Sequence, residues 1–215
     1  MKIIHQTAEY VVVCKAAGED SEHDLPGLLA EQNGDQAADY YVVHRLDKAA
    51  AGLLVLARDR QTAGELSRQL TENRLRKSYL CVVPGVPEPA SGEMQDLLYK
   101  DKMKQKMFPV KRKRAGVKEA LLTYRVLETQ APLALVEVEL KTGRFHQIRC
   151  QFAARKLPLV GDGKYGSRVR SPHLALFCRT LSFYDPKEKK ELCFTAAPPA
   201  ESPWMAFSCA SDEAE

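Results

Sequence analysis

The sequence predicts an α+β fold, with a mixed, mostly antiparallel central sheet and flanking helices and loops. Three observations predict it. Strand-like runs joined by loops outnumber helices. Residues 133–141 alternate, Val136, Val138 and Leu140 against Glu137, Glu139 and Lys141, the period of a strand with one buried and one wet face. Only three segments read as helices.

The elements follow in order. Tyr10–Lys15 is a short β-rich run. Leu25–Asn33 reads as a helix. Gly52–Ala57 is a continuous apolar strand, too short to be a helix of its own. Over Arg60–Asn73, Ala63, Leu66 and Leu70 share one face, which predicts an amphipathic helix. Lys77–Val83 is a strand ended by Pro84-Gly85, and the Pro- and Gly-rich stretch to Gly92 is a loop. Strands are expected over Glu119–Leu127 and Leu133–Lys141. Thr142-Gly143 closes the second, and Arg144–Lys156 reads as a helix. Leu174–Cys178, Leu181–Tyr184 and Glu191–Thr195 are short strands. Residues 1–210 are expected to form one domain, built as two subdomains sharing a sheet, and 211–215 an acidic tail.

Composition narrows the class. Of 215 residues, 45% are hydrophobic, enough for a sizeable core. No apolar run approaches the roughly 20 residues of a membrane span, and the first residues lack the apolar stretch of a signal peptide. A cytoplasmic protein is expected, with monomer favoured. Six scattered cysteines form no CxxC pair and read as buried thiols. The five histidines show no ligand spacing, so no metal is expected. The net charge is +4, but residues 100–118 alone hold nine Lys or Arg and one acid. Without them, 23 basic and 27 acidic residues remain, a net of −4. A concentrated positive segment suits a phosphate backbone, where each contact gains from counterion release. A solvated basic loop is the bland alternative, and charge alone does not separate them.

The residues suited to chemistry are few. Asp47, in His44-Arg45-Leu46-Asp47-Lys48, is either a turn or N-cap residue or, since it precedes a buried run, a partly desolvated acid. A desolvated carboxylate needs a cation or its pKa rises. Arg149 is the candidate cation. It lies about 40° from Phe145 at about 100° per residue, on the border of the stripe Phe145, Ile148 and Phe152. Its guanidinium either snorkels to water or meets an acid. Tyr79 packs, or offers a ring on which a displaced base can stack. Arg45 would fill the space a flipped base leaves. Arg144 and His146 would contact phosphates near a helix N-terminus, and Lys111, Arg112, Lys113 and Arg114 would bind RNA. Asp162, between two glycines, reads as a turn residue.

The pattern His44-Arg45-Leu46-Asp47 with Gly52 and the strand after it resembles the signature of the RluA-like family of RNA pseudouridine synthases. Lys77-Ser78-Tyr79 looks like that family's K-x-Y segment. Thr142-Gly143-Arg144-Phe145-His146-Gln147-Ile148-Arg149 is similar to its TGR-[ST]-HQ-[IL]-R motif. The run from Leu157 to Gly166 matches its P-[IL]-x-GD-x-x-YG turn. Four ordered motifs, spanning about Val11 to Pro199, make the resemblance specific. It implies the pseudouridine synthase fold and isomerisation of uridines in ribosomal or transfer RNA, with no cofactor. It implies Asp47 as catalytic carboxylate, Tyr79 as active-site ring and Arg149 as partner of Asp47. No S4-type RNA-binding domain is expected before the core, so recognition is expected to come from the domain itself, through residues 100–118. The chain departs from the pattern at Ala50-Ala51, where a hydroxyl pair is usual, at Phe145, where Ser or Thr is usual, and at Ala16, where proline is common. The alternatives are a catalytically inactive RNA-binding protein of the same fold, or a carboxylate glycosidase. The latter needs a second acid roughly 5–10 Å from Asp47.

Overall fold

The computed structural model describes residues 1–208. In chain order the strands and helices are β1 (Lys2–Gln6), β2 (Tyr10–Lys15), α1 (Leu25–Asn33), β3 (Tyr41–Val42), β4 (Ala51–Ala57), α2 (Arg60–Thr71), β5 (Arg76–Pro84), β6 (Ser91–Asp101), β7 (Lys106–Val110), β8 (Val117–Gln130), β9 (Leu133–Leu140), α3 (Gln147–Ala154), β10 (Leu176–Tyr184) and β11 (Glu191–Thr195). They fall into two compact units, residues 1–77 with 177–198, and residues 78–176 with 199–208. The acidic tail expected at 211–215 lies outside the described residues. Among the described residues, no helix is long and apolar enough to cross a membrane.

In the first unit, β2 lies antiparallel between β1 and β4. β10 runs parallel to β4 and pairs antiparallel with β11, while β3 adds to the far end of β4. The sheet is therefore mixed, as expected. β4 reads Ala-Gly-Leu-Leu-Val-Leu-Ala and is buried from Gly52 onward, which is why no polar alternation marks it. Its second residue must be glycine. Gly52 has φ +117°, and a Cβ there would sit 2.4 Å from the backbone N and O of Cys178, its partner on β10.

The helix α2 is capped by Asp59, which accepts from the Thr62 N–H and hydroxyl, both at 2.8 Å. Its buried face is Thr62, Leu66 and Gln69, rotated from the expected Ala63, Leu66 and Leu70. Gln69 explains the rotation. Its amide donates to the Tyr184 carbonyl and accepts from the Tyr184 N–H, each at 2.8 Å, so a polar side chain is buried with its bonds satisfied.

The second unit is an antiparallel sheet in the order β5-β9-β8-β6-β7. Val136 and Val138 are buried in β9, as its alternation predicts. The helix α3 starts at Gln147 rather than 144. His146 takes the left-handed conformation, φ 49°, and the side chain of Gln147 accepts from Thr142 Oγ1 (2.9 Å) and the Arg144 N–H (3.0 Å), closing residues 142–147 as a turn.

Strands β1, β3, β6 and β7 escaped the sequence reading, and the two expected strands at 174–184 are one. In β6 only Met94 and Leu98 are buried, a spacing of four that hides the strand period. β7 contains Pro109, which an edge strand tolerates. In β10 the half-buried Arg179 and Thr180 interrupt the apolar run without breaking the ladder.

Candidate active site

Asp47 is half-buried in a tight turn of the first unit, closed by the Ala50 N–H donating to the Asp47 carbonyl at 2.9 Å. The residues on either side of it are tied by their main chains. The Ser21 hydroxyl donates to the Leu46 carbonyl and accepts from the Leu46 N–H, both at 3.2 Å. The Lys48 carbonyl accepts from the Gly18 N–H at 2.8 Å and from Lys15 Nζ at 3.3 Å. Lys15 is fully buried, and its ammonium also donates to the carbonyls of Ala16 (2.8 Å) and Glu19 (2.9 Å). Burial pulls its pKa down to about 8, against the carboxylates of Glu19, Asp20, Asp47 and Asp24, which favour the ammonium.

His44 opens the same segment. It is buried, and the Val55 N–H donates to its Nε2 at 3.4 Å. Lys77 Nζ lies 3.4 Å from its Nδ1. Burial, then the Lys77 charge, hold the imidazole well below its usual pKa, so it is neutral at pH 7. Burial also lowers Lys77. Arg45 points outward and pairs with Glu22 at 2.6 Å, with 56% and 48% of the two side chains exposed. Such a surface pair is worth about 0–1 kcal/mol, so the guanidinium exchanges readily for another anion.

In the second unit, Tyr79 lies on β5 opposite Val138 and is buried. Arg149 does not snorkel. It is buried on α3, with Nε donating to Asp162 Oδ2 at 2.7 Å and Nη2 to Oδ1 at 2.8 Å. Asp162 is fully buried, and its Oδ1 also accepts from the Tyr165 N–H at 3.3 Å. The turn reading of Asp162 is therefore incomplete, because the residue is the anion of a bidentate ion pair. The guanidinium carbon stands 5.2 Å over the Tyr165 ring. Tyr165 Oη accepts from the Met107 N–H at 2.9 Å and lies 3.2 Å from His146 Nδ1. Burial raises the phenol pKa, so it stays protonated.

His146 is buried and stacked on Phe145 at 3.7 Å. Its left-handed backbone folds the ring inward. Arg144 Nε donates to the Glu119 carbonyl at 2.8 Å, which anchors the turn to β8. The basic segment is not a plain loop. Lys100 to Lys106 form the β6–β7 hairpin, and Lys111, Arg112, Lys113 and Arg114 stand exposed in the connection to β8. Lys113 pairs with Glu119 at 2.6 Å, and Arg114 covers the Tyr99 ring at 5.0 Å. Among the described residues, no group of three His, Cys, Asp or Glu side chains is arranged to hold a metal.

A family profile described as RNA pseudouridylate synthase matches residues 8–154. The chain belongs to the RNA pseudouridylate synthase family. RNA pseudouridine synthase 2, chloroplastic, of Arabidopsis thaliana is 35% identical over 70% of this chain and 36% of its own length. An uncharacterized RNA pseudouridine synthase of Chloroflexus aurantiacus is 36% identical over 74% of this chain and 50% of its own length. The chain thus spans half or less of these two pseudouridine synthases. The solved structure of human RNA Pseudouridylate Synthase Domain Containing 4 is 26% identical, with a TM-score of 0.75 over 92% of this chain and 88% of that one. The α+β pseudouridine synthase fold expected from the motifs is the fold of this chain.

Lys15, Ser21, Asp162 and Tyr165 were not picked out as site residues. Lys15 carried a signal, a lysine ending an otherwise apolar strand. So did Asp162, an acid between two glycines directly after Leu159-Val160. Ser21 carried none, since a serine in a polar loop is unremarkable.

Proposed function

We propose that this chain isomerises uridines in structured RNA to pseudouridine, with Asp47 as the catalytic carboxylate. The N1–C1′ bond breaks, the uracil turns, and C5 bonds to C1′. The C5 proton leaves and N1 gains one, so atoms balance without an oxidant, reductant or added water. Asp47 acts at the sugar, by attack on C1′ or by assisting loss of the 2′ proton. Arg149 keeps that carboxylate charged and aimed, and Tyr79 stacks on the base. The target nucleotide is flipped out, at a cost of a few kcal/mol. Arg45 fills the gap it leaves, and Arg144 with Lys111, Arg112, Lys113 and Arg114 holds phosphates.

The observation that carries the reading is the treatment of Asp47. A half-buried acid is held by main-chain ties on both flanks, within a motif of the family. Ribosomal RNA is the favoured substrate, because similar proteins are named ribosomal large subunit pseudouridine synthases D and C, from Borreliella burgdorferi and Buchnera aphidicola. Transfer RNA is the second choice. The test is tritium release from RNA labelled at uridine C5. Wild type should release tritium, and Asp47→Asn should abolish release while RNA binding stays intact. Turnover by Asp47→Asn at the wild-type rate refutes the assignment. A wild-type protein that binds RNA without turnover would be an inactive RNA-binding relative.

A further inference from the structure

We propose that Asp162 is a positioning residue for the reaction, fixing the guanidinium of Arg149 in the plane and direction the chemistry uses. The inference rests on the reading of Arg149 as counter-ion of Asp47. The contact is side-on. Asp162 takes the Nε–Nη2 edge through two bonds of 2.7 and 2.8 Å, which directs the Nη1 edge away from it. The face of the guanidinium lies over the Tyr165 ring at 5.2 Å. Tyr165 is in turn fixed by Met107 N–H at 2.9 Å and by its own N–H on Asp162 at 3.3 Å. Edge and face are both set, so rotation about the last side-chain bonds of Arg149 is blocked.

Asp162 is itself placed with little freedom. Gly161 before it has φ +78°, and a Cβ there would lie 2.3 Å from the His173 carbonyl oxygen. The carboxylate is fully buried, with Arg149 and Tyr165 among its donors. A buried ion pair is a poor device for stability alone, since apolar residues of equal volume do as well or better. As a device for orientation it is effective, because a planar, two-point contact fixes direction as well as distance.

The test uses the full chain and a ribosomal RNA transcript that wild type modifies, labelled with tritium at uridine C5. Single-turnover rate and RNA affinity are measured for wild type, Asp162→Asn, Arg149→Lys and the double variant. Asn keeps the shape but offers one acceptor where two are needed. The expected result is a rate loss of about tenfold or more for Asp162→Asn with RNA affinity within about twofold. In the Arg149→Lys background the same change should cost less than about twofold more, because the two residues act as a unit. A wild-type rate for Asp162→Asn, a loss carried wholly by RNA affinity, or losses that multiply in the double variant would each overturn the proposal. Should Asp162→Asn fail to fold, the nitrogen spectrum of wild type decides: Arg149 must show separate, slowly exchanging Nη signals, and a single averaged signal would refute it. Asp47→Asn run alongside separates the two ideas. If that variant turns over normally, the parent reading fails. If it is dead while Asp162→Asn is fully active, only the present inference fails.

Discussion

Replacing Gly52 by alanine should damage the fold where the Asp47 turn meets the sheet. The backbone there has φ +117°, and the new methyl would lie 2.4 Å from both N and O of Cys178, atoms of a neighbouring strand that cannot swing aside. A side chain held in that sparsely populated region costs about 1–3 kcal/mol. Forcing a methyl into packed backbone costs about 1–3 kcal/mol more. The sum, about 4 kcal/mol, is a large part of the about 5–15 kcal/mol that holds a domain folded. With a urea slope of about 2 kcal/mol per molar, the midpoint should fall by about 2 M. Gly64→Ala is the control. That residue sits inside α2 with nothing within 4 Å of the new methyl, and the change should stabilise by about 1 kcal/mol. If Gly52→Ala unfolds at the wild-type midpoint, the close approach of β4 and β10 is not what makes glycine necessary, and the reasoning fails.

Three further outcomes are expected. Ser21→Ala removes both ties to the Leu46 main chain and should cost about 1–3 kcal/mol, with a fall in turnover but not in RNA binding; unchanged turnover would show that the Asp47 turn holds itself. His44 is kept neutral in the folded chain, whereas the unfolded chain takes up a proton near the ordinary value of 6.5. The unfolded state then binds more protons, so below that pH this residue makes stability fall with acid by about 1.4 kcal/mol per pH unit, until the folded value is reached. Urea unfolding at about pH 7 and about pH 5.5 should show wild type losing about 1 kcal/mol more than His44→Gln, and equal losses would count against a neutral buried imidazole. Alanine at Lys111, Arg112, Lys113 and Arg114 together should weaken RNA binding and flatten its salt dependence by up to about four charges' worth, and an unchanged slope would remove that segment from the interface.

What was legible in the sequence was what repeats or is apolar. The bounds of α1, β2 and β11 were read as they stand, and β4 was read to within a residue, because apolar run and turn residues coincide there. β7 was hidden because an edge strand needs few buried residues, and Lys106, Phe108 and Val110 are only half-buried. The face of α2 was misjudged because Gln69 is satisfied by the backbone of a residue 115 positions away, which no local period contains. Asp162 was hidden for the same reason in milder form. Its partner is 13 residues back, across the end of α3, and a turn is a sufficient account of an Asp between two glycines until the guanidinium is seen against it.

The departures at Ala50 and Ala51 acquire a physical meaning from these contacts. A hydroxyl at either position could have tied the Asp47 turn. The turn is instead closed by the main chain of Ala50 and held from outside by Ser21, Gly18 and Lys15, through contacts to Leu46 and Lys48 that use no side chain at 50 or 51. Ala50 is buried, so a hydroxyl there would need a partner of its own or cost free energy. The main chain on both flanks of Asp47 is thus fixed by bonds to Leu46 and Lys48, and the guanidinium of Arg149 is fixed by its two bonds to Asp162, a planar two-point contact that sets direction as well as distance.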